Sequence, residues 1–330
     1  MTSTFLLEIG TEELPADFAR QALDQLQERV GRDLRDSRLD HESVQVLGTP
    51  RRLVVRVHGL ADRQPDLEED RKGPPVAQAF KDGVPGPAAI GFAKRCGVDP
   101  SQLEVRDTPK GECVFASMRT EGQNSVDLLQ ELIPAWINGL QGRRFMRWGT
   151  GSQRFSRPIR WLLALKGVDL IPVEIPGADP PVRSDRFSRG HRLHGEQPLP
   201  IDTAEAYDVT LAAAGVIVDR QQRAALIRSL LDASANQLNG LPDCPESLFE
   251  ELVDLVESPR LLQGSIAERF LSLPPEVIIT VMQAHQRYVP LKVPEVTPDP
   301  LQLEATGVLQ RDFLLVCNGL EAADALITRG

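Results

Sequence analysis

The run Thr4-Phe-Leu-Leu-Glu-Ile-Gly-Thr-Glu-Glu-Leu-Pro15 sets the reading of the fold. Thr4 to Ile9 is largely apolar and stops at Gly10, so it reads as a buried strand entering a turn. Gly10 to Pro15 turns into a helix in which Phe18, Ala22, Leu26, Val30 and Leu34 recur every fourth residue, laying one apolar stripe on a core. Beyond it, Thr49-Pro-Arg-Arg52 leads into Leu53-Val-Val-Arg-Val57, a β-branched run with strand character. The opening is therefore β-α-β.

From Gln64 to Pro100 the chain is rich in Pro and Gly, which predicts a long loop carrying a short helix over Ala88 to Arg95. Ser125 is placed to cap a helix over Val126, Leu129, Ile133 and Ile137. Ile159 to Leu165 and Leu170 to Ile175 read as two strands joined by a tight Lys166-Gly-Val-Asp169 turn. After Ile201 the pattern turns mainly helical, over Thr203 to Ala214, Asp219 to Leu238 and Pro245 to Val256. Phe313 to Cys317 predicts a last buried strand, and Glu321 to Thr328 the start of a helix with no stop signal, so the protein is expected to continue. Three regions follow: 1–124, an α+β region with a Pro/Gly-rich loop; 125–200, an Arg-rich hairpin region; and 201–330, mainly helical. The fold class is α+β, with mixed or antiparallel sheets and packed helices in the N-terminal part and a more helical C-terminal part. A parallel dinucleotide-binding topology is disfavoured, because no Gly-x-Gly-x-x-Gly and no regular strand-helix alternation runs through the chain.

Hydrophobic residues make up 41 % and charged residues 25 %, the proportions of an ordinary soluble domain, and no apolar run approaches a bilayer span. Met1-Thr-Ser-Thr lacks the basic leader of a signal peptide, so the expected location is the cytoplasm. Cys96, Cys113, Cys244 and Cys317 are scattered without a Cys-x-x-Cys pair, which points to reduced thiols rather than a zinc ribbon or disulfide framework.

A formal net charge of -10 argues against nucleic acid only on average. Arg143 to Lys166 holds seven Lys/Arg and no Asp or Glu, and Arg143 to Arg192 holds eleven basic against four acidic residues, leaving -17 for the remainder. Phe145, Trp148, Phe155 and Trp161 interleave with this island. Guanidinium groups grip phosphates bidentately and stack on bases, and exposed aromatics offer faces to unpaired nucleotides, so Arg143, Arg144, Arg147, Arg154, Arg157, Arg160, Arg189 and Arg192 are the candidate RNA-binding residues. Other constellations read as structural. His191-x-x-His194 with Glu196 lacks the helical spacing of a metal pair and a completing cysteine. His285 reads as a fold residue or helix C-terminal cation. Glu8, Glu12 and Glu13 read as carboxylates around a turn and a helix start rather than an acid-base pair. Ser258 has no local histidine to activate it. No catalytic residue and no metal site is assigned.

Taken in order, Phe5 to Ala16, Thr49 to Leu53, Met146-Arg-Trp-Gly149, Phe155 to Trp161, Arg189-Gly-His-Arg192, Glu257 to Leu291 and Phe313 to Asn318 resemble the β subunit of the bacterial two-subunit glycyl-tRNA synthetase. The resemblance covers essentially the whole chain and implies the N-terminal half of such a subunit, lacking the family's helical HD-type and anticodon-binding domains. It further implies an α2β2 enzyme that joins glycine to its tRNA. There the α subunit carries the adenylate site with its ATP and magnesium, and the β subunit serves tRNA binding and assembly. Glycine tRNA and the α subunit are then the expected partners, with no DNA, no membrane and no cofactor of this chain's own. In keeping with this, the chain has no phosphate-loop motif and neither nucleotide signature of class I synthetases. Two readings stand beside it: a scaffold without direct tRNA contact, and an RNA-acting hydrolase built on His191 and His194.

Overall fold

The computed structural model describes residues 2–81, 83–109, 111–195, 197–293 and 309–319, the side chain of His194 excepted. They gather into two compact units: residues 34–40 with 61–128, and residues 2–33 and 41–60 with the described part of 129–330.

In the larger unit, β1 (Thr2–Thr11) runs antiparallel to the strand Ile159–Lys166, placing Gly10 opposite Trp161. Its other neighbour, β3 (Arg52–Ala61), forms an antiparallel hairpin with β2 (Ser43–Thr49), in which Thr49 pairs with Arg52. Asp169–Leu170 closes one edge antiparallel, while Ser184–Asp185 lies parallel to Ile159–Lys166, so the sheet is mixed as predicted. Phe5, Leu6, Leu7 and Ile9 are all fully buried, the continuous pattern of a strand covered on both faces. Leu6, Val54, Leu163 and Leu165 pack with Ile201, Tyr207, Leu211 and Val216, while Phe5 meets the Trp136 ring at 6.2 Å.

Helix α1 (Ala16–Asp36) buries all five stripe residues, each large apolar one worth about 1.5–3 kcal/mol. The Trp136 indole N–H donates to Asp33 at 3.0 Å, and Arg29 donates to the Gly139 carbonyl at 2.8 Å, fastening the end of the helix Ser125–Asn138. Ser125 is the first residue of that helix, and its buried hydroxyl has no hydrogen-bond partner, so the predicted side-chain cap is absent. The expected second arm, Leu170 to Ile175, is a strand only at its first residue. Beyond it Ser184 Oγ takes over the ladder, accepting from Val173 N–H and donating to Ile171 C=O, both at 2.7 Å.

The prediction of a mainly helical region after residue 201 is corrected. Helices Tyr207–Ala213, Arg220–Gln237 and Glu246–Leu255 are present, with Asp219 capping the second through Gln221 N–H at 2.7 Å. They share the region with an antiparallel sheet ordered Leu241–Pro242, Tyr288–Lys292, Leu309–Asn318, Pro259–Ser265. Pro259-Arg-Leu-Leu-Gln-Gly-Ser265 has little intrinsic strand character. Seven consecutive pairings with Asp312 to Asn318 impose it, an instance of tertiary context overriding propensity. Glu321 to Thr328 lies outside the described residues.

The smaller unit is a three-stranded antiparallel sheet, Leu67–Pro75, Cys113–Thr120 and Glu104–Arg106, with helix Pro87–Cys96 in place of the predicted Ala88 to Arg95. The start of the predicted loop is thus a strand. Its acidic residues face solvent, and Asp66 ties it to the neighbouring strand through Arg119 at 2.6 Å.

A Cβ built at Gly10 would fall inside the Trp161 indole, whereas one at Gly91, in the exposed middle of helix Pro87–Cys96, meets nothing within 4 Å. Gly10→Ala is expected to lose about 3 kcal/mol or more in urea unfolding, and Gly91→Ala to gain about 0.5–1 kcal/mol.

Candidate functional site

Apart from Met146-Arg-Trp-Gly149, the strings that carry the family resemblance, far apart in sequence, converge on one buried cluster in the larger unit. At its centre is Arg52, fully buried at the start of β3. Its Nε donates to Glu257 Oε1 at 3.1 Å, and its Nη1 donates to Glu8 Oε1 at 3.2 Å, to Ser188 Oγ at 3.3 Å and to the Arg189 carbonyl at 2.9 Å. Glu8 and Glu257 are also fully buried. Glu8 Oε1 accepts further bonds from the Trp161 indole N–H at 3.0 Å and from Ser188 Oγ at 2.9 Å, and Glu257 Oε1 accepts from Thr49 Oγ1 at 2.5 Å. Two carboxylates around one guanidinium leave the cluster formally one negative charge in excess.

Each residue of Arg189-Gly-His-Arg192 has a separate task. The Arg189 carbonyl receives Arg52. Gly190 is pressed against Ala214, whose Cβ would stand 3.0 Å from an added side chain. His191 is buried, and its Nδ1 accepts from Leu193 N–H at 3.3 Å, which leaves Nε2 to donate to Asn318 Oδ1 at 2.9 Å. The ring is therefore the neutral Nε2–H tautomer by its partners. Asn318 Oδ1 also accepts from the N–H groups of Glu257 and Ser258, at 2.9 and 3.1 Å. Arg192 turns outward to Glu13 at 3.0 Å and Glu12 at 3.2 Å. No group of three or more potential metal ligands occurs among the described residues, and Glu196 and the His194 side chain lie outside them.

The arginine island divides in two. Arg160 pairs with Glu12 at 2.7 Å and Arg192 with Glu12 and Glu13, while half-buried Arg157 donates to the neighbouring Ser156 carbonyl at 3.0 Å. Arg143, Arg144, Arg147 and Arg154 are exposed and form no ion pair with a described carboxylate; three of them line an open cleft of about 520 Å³ with Asn138, Gln141 and Ser152. Of the interleaved aromatics, Phe155 and Trp161 are buried, while Phe145 and Trp148 are half-buried. Phe145 and Phe155 pack with Phe18 at centroid distances of 5.3–5.7 Å, seating the basic loop on α1. Trp161 is buried over Gly10, and the Trp148 indole N–H donates to the Phe155 carbonyl at 3.0 Å. His285 is exposed in the π-helical turn Met282–Gln286. Sequence reasoning misses Arg52 and Glu257 as partners, because a pair 205 residues apart has no spacing signal.

The two buried carboxylates are held in opposite senses. Burial pushes Glu8 up, and Arg52, Ser188 and Trp161 only partly oppose it. Burial also pushes Glu257 up, but Arg52, the Thr49 hydroxyl and Arg51 outweigh it and hold the carboxyl below its ordinary value. Glu257 thus contributes stability above the ordinary glutamate range that is lost as pH falls through its lowered pKa. The raised Glu8 acts the other way, contributing stability at low pH that fades as pH rises through its pKa. Glu257→Gln is expected to cost about 3–5 kcal/mol near neutral pH, the scale of breaking a buried pair. Glu8→Gln should cost less, about 1 kcal/mol, and should abolish the loss of stability that sets in as pH rises above the ordinary glutamate range. Urea unfolding of both variants across pH reads both outcomes.

The chain matches the family model described as glycyl-tRNA synthetase beta subunit over residues 5–330. It is 44 % identical over 327 residues to the glycine-tRNA ligase beta subunit of Synechocystis sp., covering 99 % of this chain and 44 % of that protein. The corresponding figures are 46 % over 328 residues for Picosynechococcus sp., covering 99 % and 45 %, and 40 % over 333 residues for Moorella thermoacetica, covering 100 % and 46 %. The chain spans about half the length of the curated relatives it matches. With the match running through every segment that feeds the buried cluster, the chain belongs to the glycyl-tRNA synthetase beta subunit family.

Proposed function

We propose that this chain is part of the β subunit of a cytoplasmic glycine-tRNA ligase, contributing tRNA binding and assembly to an α2β2 enzyme that attaches glycine to its tRNA with ATP. The adenylate-forming site, with its ATP and magnesium, belongs in this reading to the α subunit, and the present chain is inactive alone. Family membership supports the class of reaction. The observation that carries the RNA role is the exposure of Arg143, Arg144, Arg147 and Arg154 without carboxylate partners, on a loop seated by Phe145 and Phe155. An arginine with no carboxylate partner gains a phosphate contact without surrendering an ion pair, and a segment held by packing loses little entropy on binding.

A second reading, a scaffold that joins α without touching tRNA, is favoured by one other observation. Phe270, Leu273, Val277 and Val281 are exposed large apolar side chains along one cleft of about 430 Å³, the kind of surface protein partners cover.

Binding of the full chain to glycine tRNA across a salt series, with and without the α subunit, separates the two. The expected result is affinity that falls steeply with salt, with the logarithmic slope reduced by about 3 when all four arginines become Ala. Retained α binding with no salt-dependent tRNA affinity would leave the scaffold.

A further inference from the structure

Above the buried cluster lies a pocket of about 310 Å³ lined by Arg51, Arg160, Arg189, Arg192, Trp161 and Glu12. Its innermost charge is Arg51, only 8 % exposed. The backbone of Arg51 is fully used, its N–H by Thr49 Oγ1 at 3.2 Å and its carbonyl by Thr11 N–H at 2.8 Å. Its side chain is not. Nε is buried with no hydrogen-bond partner, and the guanidinium carbon rests 5.7 Å from the centre of the Trp161 ring.

A buried guanidinium nitrogen without an acceptor is expensive, and native proteins seldom leave one so. Among the described residues the carboxylate in the pocket wall is Glu12, which does not relieve it, because it gives Oε1 to Arg160 and Oε2 to Arg192. Burial, with Arg192 and Arg52 adding to it, outweighs the opposing charges of Glu257 and Glu12 and disfavours the charged form of Arg51, although arginine keeps its proton at neutral pH. Among the described residues the lining thus holds four arginines and one carboxylate. A larger cleft of about 580 Å³, with Trp148 and Phe187 among its walls, shares Arg160, Trp161 and Arg189 with this pocket. A group attached to an anion in the pocket therefore has adjoining space lined partly by aromatic side chains.

We infer that this pocket binds a phosphate group, with Arg51 as its inner ligand, Arg192 and Arg160 at its mouth, and the attached nucleoside directed into the shared cleft. Glu12 is then a competitor, holding the outer arginines until phosphate takes them. The site is separate from the exposed basic loop and does not depend on that loop's role.

The test is thermal unfolding of the full chain titrated with inorganic phosphate against sodium chloride at equal ionic strength. Competition by a 5′-phosphorylated RNA trinucleotide and by its unphosphorylated form completes it. Saturable stabilisation by phosphate beyond chloride is expected, weakened at least tenfold in apparent affinity by Arg192→Ala and Arg51→Gln, tightened by Glu12→Gln and unchanged by Arg143→Ala. Arg192 is exposed, so its variant remains informative if Arg51→Gln fails to fold. Displacement by the phosphorylated trinucleotide alone assigns the phosphate to RNA, and phosphate binding that neither trinucleotide displaces assigns the pocket to a free anion and overturns the nucleoside placement. No saturable effect beyond chloride, or one that Arg192→Ala and Glu12→Gln leave unaltered, overturns the site itself. That failure would leave salt-dependent tRNA binding by the basic loop intact, so the two readings fall separately.

Discussion

The guanidinium of Arg52 is the constraint on which the larger unit turns. It bridges β3 to β1 through Glu8, to the segment after helix Glu246–Leu255 through Glu257, and to the end of strand Phe187–Arg189 through the Arg189 carbonyl. Three chain segments are thereby held in register by one group that cannot return to water without leaving two carboxylates buried and unpaired. Such a centre is weak evidence for net stability, since well-packed apolar side chains often do as well. Its directional bonds do more for uniqueness, because few other arrangements of these strands bring both carboxylates to one guanidinium.

Arg223 repeats the device with different partners. It is almost fully buried and donates to the carbonyls of Gly48, Ile217, Val218 and Val253, with burial pulling its pKa down to about 10. Carbonyl dipoles suffice here because four of them converge. Between them, Arg52 and Arg223 join the β2–β3 hairpin to Glu257 and to the Ile217–Val218 segment.

What the sequence discloses follows the range of the interactions involved. The α1 stripe is legible because periodicity is a local property, and Phe18, Ala22, Leu26, Val30 and Leu34 are all buried. The cap at Asp219 is legible because its acceptor and donors lie within three residues. The strand Pro259–Ser265 is not, since its conformation comes from pairing with residues some 50 positions away. The arginine island is visible as a charge run, but its division is not. Glu12 and Glu13, which occupy Arg160 and Arg192, are brought to them only by the sheet. For the same reason the packing of Trp161 over Gly10 and of Phe145 and Phe155 against Phe18 is not visible in the sequence.

Asn318 is followed by Gly319, a dipeptide that in a loose chain ages quickly by cyclisation, the glycine nitrogen attacking the asparagine side-chain carbonyl to expel ammonia. Here both reacting groups are engaged: Oδ1 is held by three donors, and the Gly319 N–H is bonded to the Ser258 carbonyl at 3.2 Å. The fold thus shelters this dipeptide from chemical ageing. Were it to deamidate, an aspartate or isoaspartate charge would appear beside Glu257 and remove the neutral acceptor on which the His191 tautomer rests. The covalent lifetime of the protein is therefore tied to the same buried cluster that sets its shape.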